Sequence, residues 1–198
     1  ADDASVAAAM ALSYAHQARF ELAEARKIMR QLVERQPGSA SAWARLAELE
    51  LSFKAYGRAL KAARRAAELA SGVARTATIH GFVQLARLNA GAAARHFEHA
   101  VELDPGHPFA HLGLGLAMIR KGRQREGRTH IETAVALSPR YALLRSYLGK
   151  AYFEEHRNTI AADQLDMAKS LDPNDPTPYL YSALRQQAAN DPVGALRD

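Results

Sequence analysis

A small residue returns every 34 positions along this chain: Ala25, Ala59, Ala93, Gly127, Ala161 and Ala195. Two further series keep the same step. Ser13, Ala47, Gly81, Gly115, Gly149 and Ala183 precede the first by twelve residues, and Pro37, Ser71, Pro105, Pro139 and Pro173 follow it by twelve. Three small-or-breaker series locked to one period mean one helical unit copied along the chain. Each copy buries its apolar face only by stacking on its neighbours. Such an array generates surface, which points to binding before chemistry.

Residues 108–121 show how one unit is written. They read as a helix, with Leu112, Leu116 and Ile119 on one stripe and Leu114 and Met118 on the next. Gly122-Arg123 is a turn, residues 124–137 form a second helix, and Ser138-Pro139 ends it, because proline cannot continue a helix. Ser39, Pro108 and Asp175-Pro176 open helices with capping or first-turn residues. Gly115 and Gly127 let two helix backbones approach closely. Facing positions trade volume: Trp43 is matched with Ala63, whereas Ala77 is matched with Phe97.

The pattern resembles the tetratricopeptide repeat family, whose units are also 34 residues long. Its signature is carried by Trp43, Leu46, Ala47, Ala59, Ala63, Ala66 and Ser71 in one copy, and by Leu114, Gly115, Met118, Gly127, Ile131, Ala134 and Pro139 in another. Leu148, Gly149, Tyr152, Ala161, Leu165, Ala168 and Pro173 repeat it. The copy with Gly81, Ala93, Phe97, Ala100 and Pro105 puts His80 where leucine is usual. The first copy is the weakest, with Leu12, Ala25, Met29 and Pro37, and with Leu32 in place of a small residue. Units therefore span 6–39, 40–73, 74–107, 108–141 and 142–175, with a partial sixth over 176–198, in one array covering 1–198.

The resemblance implies an all-α fold, a right-handed α-solenoid of antiparallel helix pairs whose first helices line a concave groove that binds proteins or peptides. Family positions two, five, nine and twelve then place Tyr14, Glu48, Arg75, Phe82, Phe109, Leu112, Leu116 and Lys150 in that groove. The same positions add Leu85, Leu143, Ile119 and Phe153, of which Leu85, Ile119 and Phe153 also read as packing between neighbouring helices. The paired Lys and Asn residues with which one subgroup holds a carboxylate tail are missing. The expected lining of the third and fourth units is apolar, suited to an amphipathic helix or an extended apolar segment.

Composition narrows the alternatives. The chain of 198 residues is 48% hydrophobic and 24% charged, ordinary for a soluble domain. No window is apolar enough to span a bilayer, and no secretory leader is visible. Cysteine is absent, which removes disulfides, thiolate metal sites and a cysteine nucleophile while leaving the compartment open. The chain starts at Ala1 and stops just after a new helix begins near Val193, which reads as a piece of a longer protein.

Candidates for chemistry are sparse. The sequence has no GxSxG, P-loop, GxGxxG or HExxH, so no enzyme, cofactor or metal is expected. His96, His99 and Glu102 share a spacing of three, too few ligands for a filled zinc sphere. His80 is expected to be a buried, neutral, hydrogen-bonded ring. The net charge of +5 admits nucleic acid, acidic partners or an anionic membrane surface. Arg58, Lys61, Arg64 and Arg65 cluster, as do Arg120, Lys121, Arg123, Arg125 and Arg128, yet the stacking aromatics that phosphate binding would want beside them are expected to be missing. The leading expectation is thus a protein-interaction scaffold. The alternatives are a spacer in a larger, secretion- or envelope-associated protein and a nucleic-acid binder acting through convex basic patches. Tyr179, Leu180, Ala183 and Leu184 also lack a covering helix, which predicts self-association through that end.

Overall fold

A computed structural model describes residues 2–189. The fold is an all-α solenoid of antiparallel helix pairs. Among the described residues there are eleven helices and no strand: α1 (Asp2–Ala18), α2 (Leu22–Arg35), α3 (Ala40–Ser52), α4 (Tyr56–Leu69), α5 (Ala74–Ala86), α6 (Ala90–Leu103), α7 (Pro108–Arg120), α8 (Gln124–Leu137), α9 (Ala142–Glu154), α10 (Asn158–Leu171) and α11 (Pro176–Ala188). From α3 onward every first helix starts 34 residues after the one before it. The helix expected near Val193 and the small residue Ala195 lie outside the described residues.

The chain divides into two compact units, residues 1–105 and 106–198. In the first, each helix packs on the next from α1 to α6, and the first helices α1, α3 and α5 also touch one another. In the second, α7 to α11 pack successively, with α9 also against α11. The first core is built from Met29, Leu49, Val83 and Phe97 around fully buried Ala25, Ala59 and Ala93. The second contains Leu114, Ile131, Leu144, Leu148 and Leu165. Of the positions expected to trade volume, Ala63, Phe97 and Ala77 are buried and Trp43 is half-buried.

Every pair closes through the same turn. The residue at positive φ is Phe20 (61°), Lys54 (53°), Leu88 (63°), Gly122 (80°) and His156 (60°), again in steps of 34. The following N–H donates back to the carbonyls of His16, Glu50, Gln84, Met118 and Tyr152 at 2.8–3.0 Å. This is a Schellman closure, in which a left-handed residue satisfies the last helical carbonyls. Helix starts are capped as their sequences imply: Ser39 Oγ accepts from Ala42 N at 3.3 Å and Asp175 Oδ1 from Thr177 N at 2.8 Å.

Candidate functional site

In the first unit, one face is made by α1, α3 and α5, and it gathers three of the expected groove residues. Arg75 Nη2 on α5 donates to Glu48 Oε1 on α3 at 2.9 Å and to the Tyr14 hydroxyl on α1 at 2.5 Å. Tyr14 is 41% exposed, and the side chains of Arg75 and Glu48 are 42% and 31% exposed. Desolvation would lower the Arg75 pKa, but the adjacent Glu48 carboxylate and Tyr14 hydroxyl outweigh it and hold it above the ordinary value. The guanidinium is therefore a fixed positive charge on this face.

Beneath these groups lies a residue that the groove assignment missed. The side chain of Arg45 is only 3% exposed, yet each of its guanidinium nitrogens donates a hydrogen bond. It donates to Ser13 Oγ at 3.1 Å, to Gln17 Oε1 at 2.6 Å and to Glu48 Oε2 at 3.0 Å, and it lies 4.0 Å from the Tyr14 ring centroid. A buried charge is tolerable only when paired and hydrogen-bonded in this way. The available signal was an arginine inside the otherwise apolar stretch from Ala42 to Ala47.

The remaining expected residues have different surroundings. Leu112 is 2% exposed, a correction to its groove role: it is packing, not presented surface. The same holds for Ala44, Thr78 and Ser146, which share its repeat position and are 1%, 3% and 0% exposed. Leu85, at the twelfth position, is also buried, as its reading as packing between helices expects. Phe82 is half-buried in the first unit, with its ring edge-on to Phe97 at 4.9 Å. In the second unit Phe109 packs edge-on to Tyr141 at 5.2 Å, and Leu116 is half-buried. Lys150 pairs with Glu154 and stands 6.0 Å from the ring of Tyr181. Burial, then the nearby Tyr147 and Glu154, push the Tyr181 phenol up to about 12.

Histidines pair with one another across helices. His80 on α5 is buried and stacks on His96 of α6 with centroids 3.8 Å apart. His96 is thereby turned to another partner than His99, which pairs with Glu102 at 3.6 Å. Among the described residues no three His, Cys, Asp or Glu side chains are grouped to hold a metal ion.

The position whose carbonyl accepts the closing bond is polar in every described copy but one, Met118. The positions 16, 50, 84, 118, 152 and 186 carry His, Glu, Gln, Met, Tyr and Gln. Glu50 binds Arg30 and Arg58 at 2.5 and 3.0 Å, and Arg26 stands 3.8 Å away. Burial would raise its carboxyl pKa, but those hydrogen bonds and charges hold it below the usual range. Tyr152 donates to Glu132 at 2.5 Å, and Glu132 also pairs with Arg128.

Much of the basic surface is internally matched. Arg65 pairs with Glu68, Arg123 with Glu126, and Arg128 with Glu155. Folding does bring rings to both clusters, which corrects the expectation that none stands beside them: Trp43 lines the same surface hollow as Lys61, Arg64 and Arg65, and Arg128 lies 5.5 Å from the centroid of the Tyr152 ring.

A family model described as tetratricopeptide repeat matches residues 9–74 and 119–176, more than half of the chain. No curated protein matches the sequence. Among solved structures, a chain of the APC/C hetero-tetramer Cut9–Hcn1 is similar with a TM-score of 0.83 and 21% identity, covering 94% of this chain and 37% of that one. TTC0263, a thermophilic TPR protein of Thermus thermophilus, gives 0.82 and 18%, covering 94% and 100%. YrrB, described as a TPR protein with an unusual peptide-binding site, gives 0.55 and 17%, covering 86% and 88%. Likeness at these identities carries the fold.

Proposed function

Because the chain belongs to the tetratricopeptide repeat family, we propose that it is a scaffold that holds a protein or peptide segment against the face of its first helices. The observation that carries this reading is the Tyr14–Arg75–Glu48 cluster. Three side chains from three helices are half-exposed, joined through Arg75 and braced by a buried arginine. A preorganised surface of this kind loses little conformational freedom on binding. Its chemistry suits a segment with an acidic group: a partner carboxylate meets Arg75 where Glu48 now does, beside the Tyr14 ring. The peptide-binding site named for YrrB is a property of that protein, and it agrees with this use of the fold. In the second unit Leu116, Phe109 and Lys150 are the corresponding candidates. The reading is of a binding module rather than an enzyme.

The test begins with a partner recovered from the native host. Arg75→Ala with Tyr14→Ala should weaken its binding by about tenfold or more, the scale of central interface residues. Arg65→Ala, on a second helix, should leave it unchanged. Equal affinity for all three proteins, at equal thermal stability, contradicts the assignment. Leu112→Arg is unsuited to this test, because it perturbs the core.

A nucleic-acid role has one observation in its favour, the hollow lined by Trp43 and three cations. Its mark is a gel shift that weakens with salt. A spacer role in a larger protein is decided by the complete reading frame. We also propose self-association through α11, supported by Leu180 and Leu184, which are 58% and 44% exposed. Light scattering should show a mass that rises with concentration and reverts to a monomer in Leu180→Glu with Leu184→Glu. A wild-type monomer at all concentrations contradicts it.

A further inference from the structure

The first-to-second-helix turns of the first unit carry apolar side chains where neither folding nor solubility calls for them. Phe20 is 90% exposed and Leu88 77% exposed, and both sit at positive φ. A side chain there meets steric resistance that glycine does not. The second unit shows that the turn itself has no use for an apolar group: Gly122 and His156 make the same closure. Phe20 and Leu88 are thus unfavourable twice over, in backbone conformation and in hydration.

Their neighbours are as consistent as their placement. Each apolar tip adjoins a cation in sequence: Arg19-Phe20, Phe53-Lys54 and Arg87-Leu88. Phe53 and Tyr56 add 37% and 39% exposed rings at the middle turn. Arg19 pairs with Glu21 at 3.0 Å, and Glu21 also bonds His16 at 2.6 Å. Lys54 and Arg87 are exposed, and neither forms an ion pair among the described residues. All three turns join a first helix to its second, so in a stack of antiparallel pairs they share one end of the first unit.

We propose that this end of the first unit docks on an anionic membrane surface, with Phe20 and Leu88 entering the headgroup–acyl boundary and Arg19, Lys54 and Arg87 meeting lipid phosphates. The shape of the edge selects this occupant over a folded protein. Separate protruding tips need separate matching sockets in a rigid partner, whereas a bilayer yields around each tip. The alternation of cation and apolar tip is the pairing that interfacial segments use. Charge complementarity points the same way, because Glu21 is the only carboxylate within the turn residues 18–21, 52–56 and 86–89. This surface is distinct from the first-helix face proposed to hold a peptide.

The test is cosedimentation of the full chain with large unilamellar vesicles. Wild-type protein should bind vesicles of equal phosphatidylcholine and phosphatidylglycerol and not vesicles of phosphatidylcholine alone, with binding lost at about 0.5 M salt. Phe20→Gly with Leu88→Gly should weaken vesicle binding by about tenfold or more while raising the melting temperature, since glycine relieves the turn. His156→Gly should leave vesicle binding unchanged. Wild-type protein that ignores anionic vesicles overturns the proposal, including the outcome in which the edge captures a protein instead. Undiminished vesicle binding by the double glycine variant overturns it as well. Partner capture on the Tyr14–Arg75 face reads out separately.

Discussion

Gly115→Ala should destabilise the second unit by roughly 3 kcal/mol or more, at the upper end of overpacking effects. A Cβ at Gly115 would stand 2.5 Å from the Gly127 carbonyl oxygen and 2.6 Å from Ile131 Cγ1. The relation is reciprocal: a Cβ at Gly127 meets the Gly115 carbonyl at 2.5 Å and Ile119 Cγ1 at 2.5 Å. The obstacle is backbone, so no rotamer change relieves it, and α7 and α8 must move apart along their whole contact. Gly81→Ala should cost less, because the atoms it meets at 2.7–2.8 Å belong to one ring, Phe97, although that ring is fully buried. Gly149→Ala should cost less again, since the nearest atoms, at 2.7 and 2.9 Å, are side-chain carbons of Leu165. Gly57 in α4 has nothing within 4 Å of its added Cβ, so Gly57→Ala should stabilise by about 0.5–1 kcal/mol through helix propensity alone. Urea unfolding followed by circular dichroism reads all four. An unchanged midpoint for Gly115→Ala would deny the close crossing.

Acidification should destabilise the first unit through His80. Burial first, then the charges of His96 and Arg64, lower its pKa from 6.5 to about 4. The unfolded chain therefore binds a proton at this residue before the folded chain does. Stability from the neutral ring is complete above about pH 6.5 and is lost as the pH falls towards 4, about 3 kcal/mol over that window. His96 is shifted in the same direction by its own burial, then by Arg95 and His99. Other groups act in acid too, notably Glu50, so the comparison must be with a variant. His80→Leu with Gln84→Met copies Leu114 and Met118 from the corresponding places 34 residues on. It also removes Gln84, whose Nε2 lies 3.4 Å from the His80 ring and whose buried Oε1 has no partner. Its melting temperature should exceed that of the wild type by more at pH 5 than at pH 8. Parallel pH profiles would contradict the assignment.

These two expectations also mark what the sequence exposes readily. The 34-residue step, the small residues at helix crossings, the proline stops and the buried state of His80 follow from spacing and volume. Other features do not. Only Gly122 announces a left-handed turn, because tertiary packing forces Phe20, Lys54, Leu88 and His156 into the same conformation without a glycine to signal it. Arg45 reads as an exposed charge until three partners from α1 and α3 surround it. Glu50 takes the repeat position of Tyr152, and only the arginines on α2 and α4 explain how a carboxylate survives there. The face of α1, α3 and α5 is half legible: the register brings Tyr14, Glu48 and Arg75 to one place, but the burial of Leu112 depends on how closely successive helices pack.

The absence of cysteine permits a direct measurement of that register. Single cysteines replace Tyr14, Glu48, Phe82, Leu116 or Lys150 in one set, and Ala44, Thr78, Leu112 or Ser146 in the other. Each member of the first set should react with a maleimide in the folded protein, and the second should stay protected until the protein unfolds. Equal reactivity of the two sets, or the reverse order, would contradict an array in which the first helices turn the former residues outward and bury the latter.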